Sequence, residues 1–327
     1  MTARIALAMT VLAVLAAGCG SESVHQLPPA AEPPQSPPAT AQPAGRVTAV
    51  GSQPEGVVAA RGRVAVALRN PDRLAIVDGG SGAVLKDVPL PGAARHLALA
   101  SSRGPVLVPL EDANSLLAVS LSGRVVASVA AGDHPHDAAS AAGAWFVGDE
   151  GGNRVSVVRA GHPAGGFPVA TQPGGIVGLG RSLAVVSVRE RRLELYDART
   201  LRRIGGAPAG VGPTHAVCAA PAGRCYVLDT RGGALLVYAT APHLEPTRRL
   251  YLPGGPYGVA IDNRRHRLWI TLPALNELVE LPAHGRPHVL RRFHTVRQPD
   301  SVAVDDGSGR VFVTGRADGV LEAIDAG

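Results

Sequence analysis

From Arg46 onward, apolar residues fall in short runs, each closed by glycine, proline, aspartate or asparagine. One stretch shows the pattern clearly: His96–Ala100, Pro105–Pro109, Leu116–Ser120 and Arg124–Val129, with turns at Ser101–Gly104 and around Glu111–Asn114. The runs are rich in Val, Leu and Ile and are broken by turn residues every 8–12 positions or so, which predicts strands rather than helices. Two such strands and a tight turn make a hairpin, and four strands make a small sheet. A sheet of that size cannot bury both of its faces alone.

The pattern recurs. A proline followed two residues later by a small residue or histidine, and then by two apolar residues, anchors each unit. The anchors are Pro54-Glu55-Gly56, Ala94-Arg95-His96, Pro135-His136-Asp137, Pro173-Gly174-Gly175, Pro213-Thr214-His215, Pro256-Tyr257-Gly258 and Pro299-Asp300-Ser301, at spacings of 40, 41, 38, 40, 43 and 43. Four-strand units at a period of about 40–45 residues predict a β-propeller, in which each sheet is buried by its neighbours. The fold class is therefore all-β, with seven four-stranded antiparallel blades. The last unit supplies only Val302–Val304, Arg310–Thr314 and Gly319–Ile324, one strand short, while Arg46–Gly51 stands free at the front. The N-terminal strand is expected to complete the last blade, closing the ring and removing an open edge.

The pieces Cys225-Tyr226-Val227-Leu228-Asp229, Val311-Phe312-Val313-Thr314-Gly315 and Gly132-Asp133-His134-Pro135-His136 resemble the YVTN/NHL-type β-propeller repeats of bacterial extracytoplasmic proteins. The resemblance covers 46–327 and implies fold and repeat only, because that family has no single activity. No unit ends in Trp-Asp, which disfavours WD40 repeats.

Ahead of the ring the pattern changes twice. Arg4 precedes an apolar run, Ile5–Ala17, that is too short to span a bilayer but suits the core of a secretory signal. It ends in Leu15-Ala16-Ala17-Gly18-Cys19, which resembles the lipobox of bacterial lipoproteins, with Leu15 one place earlier than the commonest form. The reading is a signal peptide over 1–18, acylation of Cys19 (diacylglycerol and palmitate-type chains), and export. The chain would sit on the outer face of the cytoplasmic membrane, or at the outer membrane of a Gram-negative source. Two or more acyl chains suffice for stable anchoring. Residues 19–45 then form the lipidated cysteine and a proline-rich tether. Paired prolines favour polyproline II at about 3.1 Å per residue, a reach of roughly 80 Å.

Composition alters this picture little. The net charge of +6 comes from 32 basic residues, of which only Lys86 is lysine, and they are scattered. With aromatics at 3%, neither a basic stripe nor stacking platforms for single-stranded nucleic acid are in evidence, so nucleic acid is not expected as a partner. Cys218 and Cys225 flank a turn centred between residues 221 and 222, which sets them opposite each other on a hairpin. In an exported protein that arrangement predicts a disulfide; reduced thiols and a metal or redox role are the alternatives.

Propeller geometry places the anchor loops at one end of the central channel, ringed by the turns between second and third strands. Blades 2 and 3 bring His96, His136 and Asp137, with Glu111, Asp112, Asp149 and Glu150 outside them; blade 5 adds His215 and Asp229. Arg69 and Arg73, Arg189, Arg191 and Arg192, and Arg316 come from blades 1, 4 and 7. The expectation is an acidic, histidine-bearing sector facing arginine-bearing ones. Two readings remain open. The groups form a site for a small ligand or divalent metal, with neutral imidazoles and carboxylates as donors. Or the histidines fill the loop by bonding backbone carbonyls, and the polar turns are solvated surface. Gly174–Gly180 is no phosphate loop, since no helix follows it. Asp305–Gly309 lacks the later glutamate of a calcium loop. No nucleophile–base pair is recognisable. The expected function is a membrane-anchored, extracytoplasmic, monomeric binding or scaffolding module for a protein or small ligand. The alternative is a metal-assisted hydrolase or lyase, lactonase-like, working at the channel mouth.

Overall fold

A computed structural model of the chain describes residues 27–219 and 222–326. The signal peptide and Cys19 lie outside the described residues.

Among the described residues, twenty-eight strands assemble into seven four-stranded antiparallel sheets. The blade is legible in the burial of its strands. In blade 1, Val57–Ala60, Arg63–Leu68 and Arg73–Asp78 are buried almost throughout, whereas the outer strand Val84–Pro89 is exposed except at Val88. The inner strands are sandwiched between neighbouring blades, so both of their faces take apolar residues. This is why the sequence shows continuous Val/Leu/Ala runs rather than strict alternation.

The core is correspondingly divided into seven wedges, each shared by two blades. Leu74, Ile76 and Leu90 of blade 1 pack on Val106 and Val108 of blade 2; Val57, Val64 and Val66 of blade 1 pack on Phe312 and Leu321 of blade 7. Trp269 lies in the wedge between blades 6 and 7, and Trp145 packs against the one between blades 2 and 3. At about 25 cal/mol per Å² of buried apolar surface, these wedges supply the main drive for folding, and none is complete until its neighbour is in place. The seventh sheet runs Arg46–Ala49, Val320–Ile324, Val311–Gly315, Pro299–Val304, so its outer strand comes from the other end of the propeller chain, with Arg46 opposite Ala323.

Blade 2 departs from the expected pattern. Its first strand pairs only over Ala98–Leu99, not over His96–Ala100. The register sets His96 opposite Pro109, which has no N–H to donate, so the ladder stops and His96 leaves the sheet.

The second departure concerns the proline-rich segment. Residues 27–45 do not run as a free spacer; they lie against the anchor-loop end of the ring. Arg189 donates to the carbonyls of Leu27 and Pro28, and Arg231 to those of Pro29 and Ala30. Farther on, Ser36 bonds Gln298 and Pro273, and Asn276 bonds the Pro37 carbonyl. Gly45 N–H then donates to Glu322 Oε1 at 2.6 Å, just before the strand that joins blade 7. Extended prolines leave their carbonyls free, and surface arginines bind them.

Candidate functional site

The first strands of all seven blades line a central cavity of about 310 Å³. Its mouth is crossed by a row of four rings. His136 of blade 3 meets His96 of blade 2 with centroids 4.7 Å apart; His96 meets His215 of blade 5 at 4.5 Å; and His215 meets Tyr257 of blade 6 at 4.5 Å. All three contacts are edge-on. The three histidines predicted for the mouth therefore converge.

Their hydrogen bonds fix their states. His215 Nδ1 lies 2.8 Å from the Tyr257 carbonyl, which can only accept, so Nδ1 carries the proton and Nε2 keeps its lone pair. That Nε2 sits 3.2 Å from His96 Nε2. Burial and the neighbouring His136 and Arg95 push the His215 imidazole down to about 4. Burial, followed by His215, His136 and Arg95, holds His96 well below the usual imidazole range. Both are neutral at pH 7. These two rings form an uncharged centre within a charged rim.

That rim is a chain of paired charges spanning four blades. Arg316 of blade 7 bridges Asp300 (3.7 Å) and Glu55 (3.1 Å); Arg69 of blade 1 bridges Glu55 (2.7 Å) and Glu111 (2.9 Å). His136 Nδ1 closes it on Glu111 (2.9 Å) and Glu150 (3.5 Å). The expected division into an acidic sector and opposing arginine sectors is thus corrected. Buried carboxylates require partners, so Arg69 and Arg316 are drawn between them and the two signs interleave. Burial would raise the Glu111 carboxyl, but the bonds from His136 and Arg69 outweigh it and hold the group near 2. Asp300 goes the other way, to about 6, chiefly through burial. Arg73 pairs with Asp87 at the outer edge of blade 1 and does not reach the mouth.

The remaining predicted residues divide. Asp137 is a staple between blades: it accepts the N–H groups of Ala138 and, from blade 4, Ile176, and burial pushes it up to about 6. Asp149 accepts from Gly132 N–H and Ser156 Oγ, and Asp229 from the N–H groups of Val211, Gly212 and Gly232. These two aspartates occupy equivalent strand ends in blades 3 and 5 and fix the incoming anchor loop. Asp112 is exposed on its turn, outside the chain of charges. Cys218 and Cys225 stand opposite each other in the hairpin register and are joined by a disulfide. Among the described residues, no group of three or more His, Cys, Asp or Glu is arranged to hold a metal.

Five mouth groups escape notice in the sequence. Glu55, Arg95, Tyr257 and Asp300 all occupy the second anchor position, and that shared position is the signal that could have singled them out. Arg95 Nη2 lies 3.4 Å from the Tyr257 hydroxyl and 2.6 Å from Glu32 Oε2, which arrives from the proline-rich segment. Nothing in the local sequence of Glu32 marks it for this role.

No family model and no curated protein matches the chain. Solved structures do. A chain of hydrazine synthase from Kuenenia stuttgartiensis superposes with a TM-score of 0.74 at 13% identity, covering 84% of this chain and 96% of its own. A streptogramin B lyase gives 0.69 at 14% identity, covering 86% and 96%. A chain of the mitotic checkpoint complex gives 0.73 at 14% identity, covering 91% and 98%. At such identities the likeness is one of fold: this chain is similar in architecture to a lyase and to a component of a protein assembly alike.

Proposed function

We propose that the protein is a lipid-anchored, extracytoplasmic propeller that works as a binding or scaffolding module through its mouth face. The observation that carries this reading is the way that face holds peptide. Arg189 and Arg231 between them bind four successive backbone carbonyls, Leu27 to Ala30. The lipobox-like Leu15–Cys19 and the Cys218–Cys225 disulfide support export to an oxidising compartment. Intact-mass measurement of the mature protein should find a diacylated Cys19 as first residue, and Cys19→Ala should release the chain from membranes. Crosslinking in the envelope should capture partners through residues on the mouth rim. Partners crosslinked only through the opposite face would refute the reading.

A second reading, metal-assisted hydrolysis or elimination at the mouth, is favoured by one distance. The 3.2 Å between His96 Nε2 and His215 Nε2 is close to the separation of two imidazole nitrogens on one tetrahedral zinc, about 3.3 Å for bonds of about 2.05 Å. Elemental analysis decides it: stoichiometric zinc, lost on His96→Ala or His215→Ala, would support this second reading.

A further inference from the structure

The contacts of residues 27–38 are those of a bound ligand rather than of a strand or a core. The segment Leu-Pro-Pro-Ala-Ala-Glu-Pro-Pro-Gln-Ser-Pro-Pro crosses blades 4 to 7 without joining a sheet. It is held by side chains of the ring that read its carbonyls: Arg189, Arg231, Asn276, and Gln298, whose amide donates to Pro34 O at 3.1 Å. Prolines lose nothing in such a mode, having no N–H to satisfy, and their extended form has no internal hydrogen bonds to break. The face is shaped for it. A Cβ on Gly255 would fall 2.5 Å from Pro34 Cγ, and Ala31 is buried beside Gly212.

The charge that fixes register is Glu32 on Arg95. The Glu32 side chain is 61% exposed and that of Arg95 28%, so the less exposed partner belongs to the ring and the carboxylate comes to it from outside. The other mouth charges, from Asp300 round to Glu150, are paired within the ring. Arg95 takes its carboxylate from the segment instead.

Building on the reading of this face as a binding surface, we infer that it is a site for an extended, proline-rich peptide bearing a carboxylate, contributed by a partner protein. Leu27–Pro38 is its resident occupant in cis. A tethered occupant competes at the effective concentration its short linker sets, so a partner must displace it, and its apparent affinity falls by the fraction of sites left open.

The test uses the purified full-length chain and a fluorescein-labelled peptide of residues 27–38, read by anisotropy. The unaltered chain should bind the peptide weakly. A chain carrying Glu32→Gln and Ser36→Ala should bind it at least tenfold more tightly. So should a chain in which 27–38 are replaced by a Gly-Ser run of equal length, where the site is empty whatever the two point changes do. Adding Arg95→Ala to either chain, or Gln in place of Glu in the peptide, should weaken binding at least tenfold. If neither altered chain binds the peptide while both keep the melting temperature and circular dichroism of the parent, the segment is a structural strap and the inference fails. Equal binding of the Glu and Gln peptides would overturn the role of Arg95. Envelope partners still crosslinked to the mouth rim after Arg95→Ala and Arg189→Ala would leave the binding module standing and remove this site from it.

Discussion

His215 shows how one residue's surroundings set a property of the whole fold. It is ringed by His96, His136, Tyr257 and Arg95, and it is neutral because protonation there would place a charge among buried rings and beside two sources of positive potential. Its folded value of about 4 lies below the unfolded 6.5. As the pH falls through 6.5 the unfolded chain takes the proton first, and stability is lost down to about pH 4. Asp137 and Asp300, raised to about 6, act with the opposite sign: between 6 and 3.8 the folded state takes the proton first and stability is gained. The parent chain's profile is therefore flattened, and the histidine contribution emerges only by difference. His215→Asn should gain about 2 kcal/mol relative to the parent between pH 7 and pH 4.5, measured by urea unfolding at each pH. A constant difference across that range would contradict the assignment. Arg69 makes the complementary case. Arg69→Ala leaves Glu55 and Glu111 buried without their shared cation and should cost about 3 kcal/mol, seen as a lowered melting temperature. The histidines were legible because each stands at a repeated position in its unit. The pairing of Arg69 with Glu111 was not, because it joins the second–third strand turns of two adjacent blades, and only the ring brings those turns together.

At the scale of the element, the hairpin 213–229 and the first strand of blade 2 mark what local chemistry decides. The Cys218–Cys225 bridge follows from a turn centre read off the sequence, since antiparallel register is fixed once the turn is placed. With the two cysteines only seven positions apart, the bridge removes little chain entropy. Replacing both with alanine should cost about 2 kcal/mol in chemical denaturation, and a reductant should lower the parent to near the variant. The blade 2 strand is the converse. Its apolar run predicts five paired residues, yet two are paired, because Pro109 on the facing strand has no N–H to offer His96. Apolar pattern reports burial; it does not report which backbone donors are missing. The proline-rich segment resisted reading for a related reason. Its composition states that it is extended and without a core of its own, but its docking depends on guanidinium groups more than a hundred residues away.

At the scale of the molecule, that docking resets how the protein would stand on a membrane. A free spacer would let the ring drift up to about 80 Å from its anchor and face any direction. With the segment seated from Leu27, only eight positions after the proposed lipid attachment at Cys19, the rim of blade 4 would lie at most about 28 Å from it at full extension. The described chain begins on the mouth side, beside Arg189, so under the proposed anchoring that side of blade 4 would be held nearer the bilayer than the opposite end. Two labelled variants of the lipidated protein test this in vesicles containing a quencher lipid: Glu190→Cys on the mouth rim of blade 4, and Arg181→Cys in the first hairpin of the same blade, at its other end. Both positions are exposed. The label at 190 should be quenched at least twice as strongly as the label at 181. Replacing 27–38 with a Gly-Ser run should bring the two toward equality, because the ring then turns freely on a longer leash. Equal quenching in the unaltered chain would mean that the segment does not hold the ring when the lipid is in place, and the mouth face would then be open to solution. Orientation and occupancy of the Arg95 site would then both depend on the same twelve residues, 27–38, which would tie the chemistry of the mouth to the distance from the membrane.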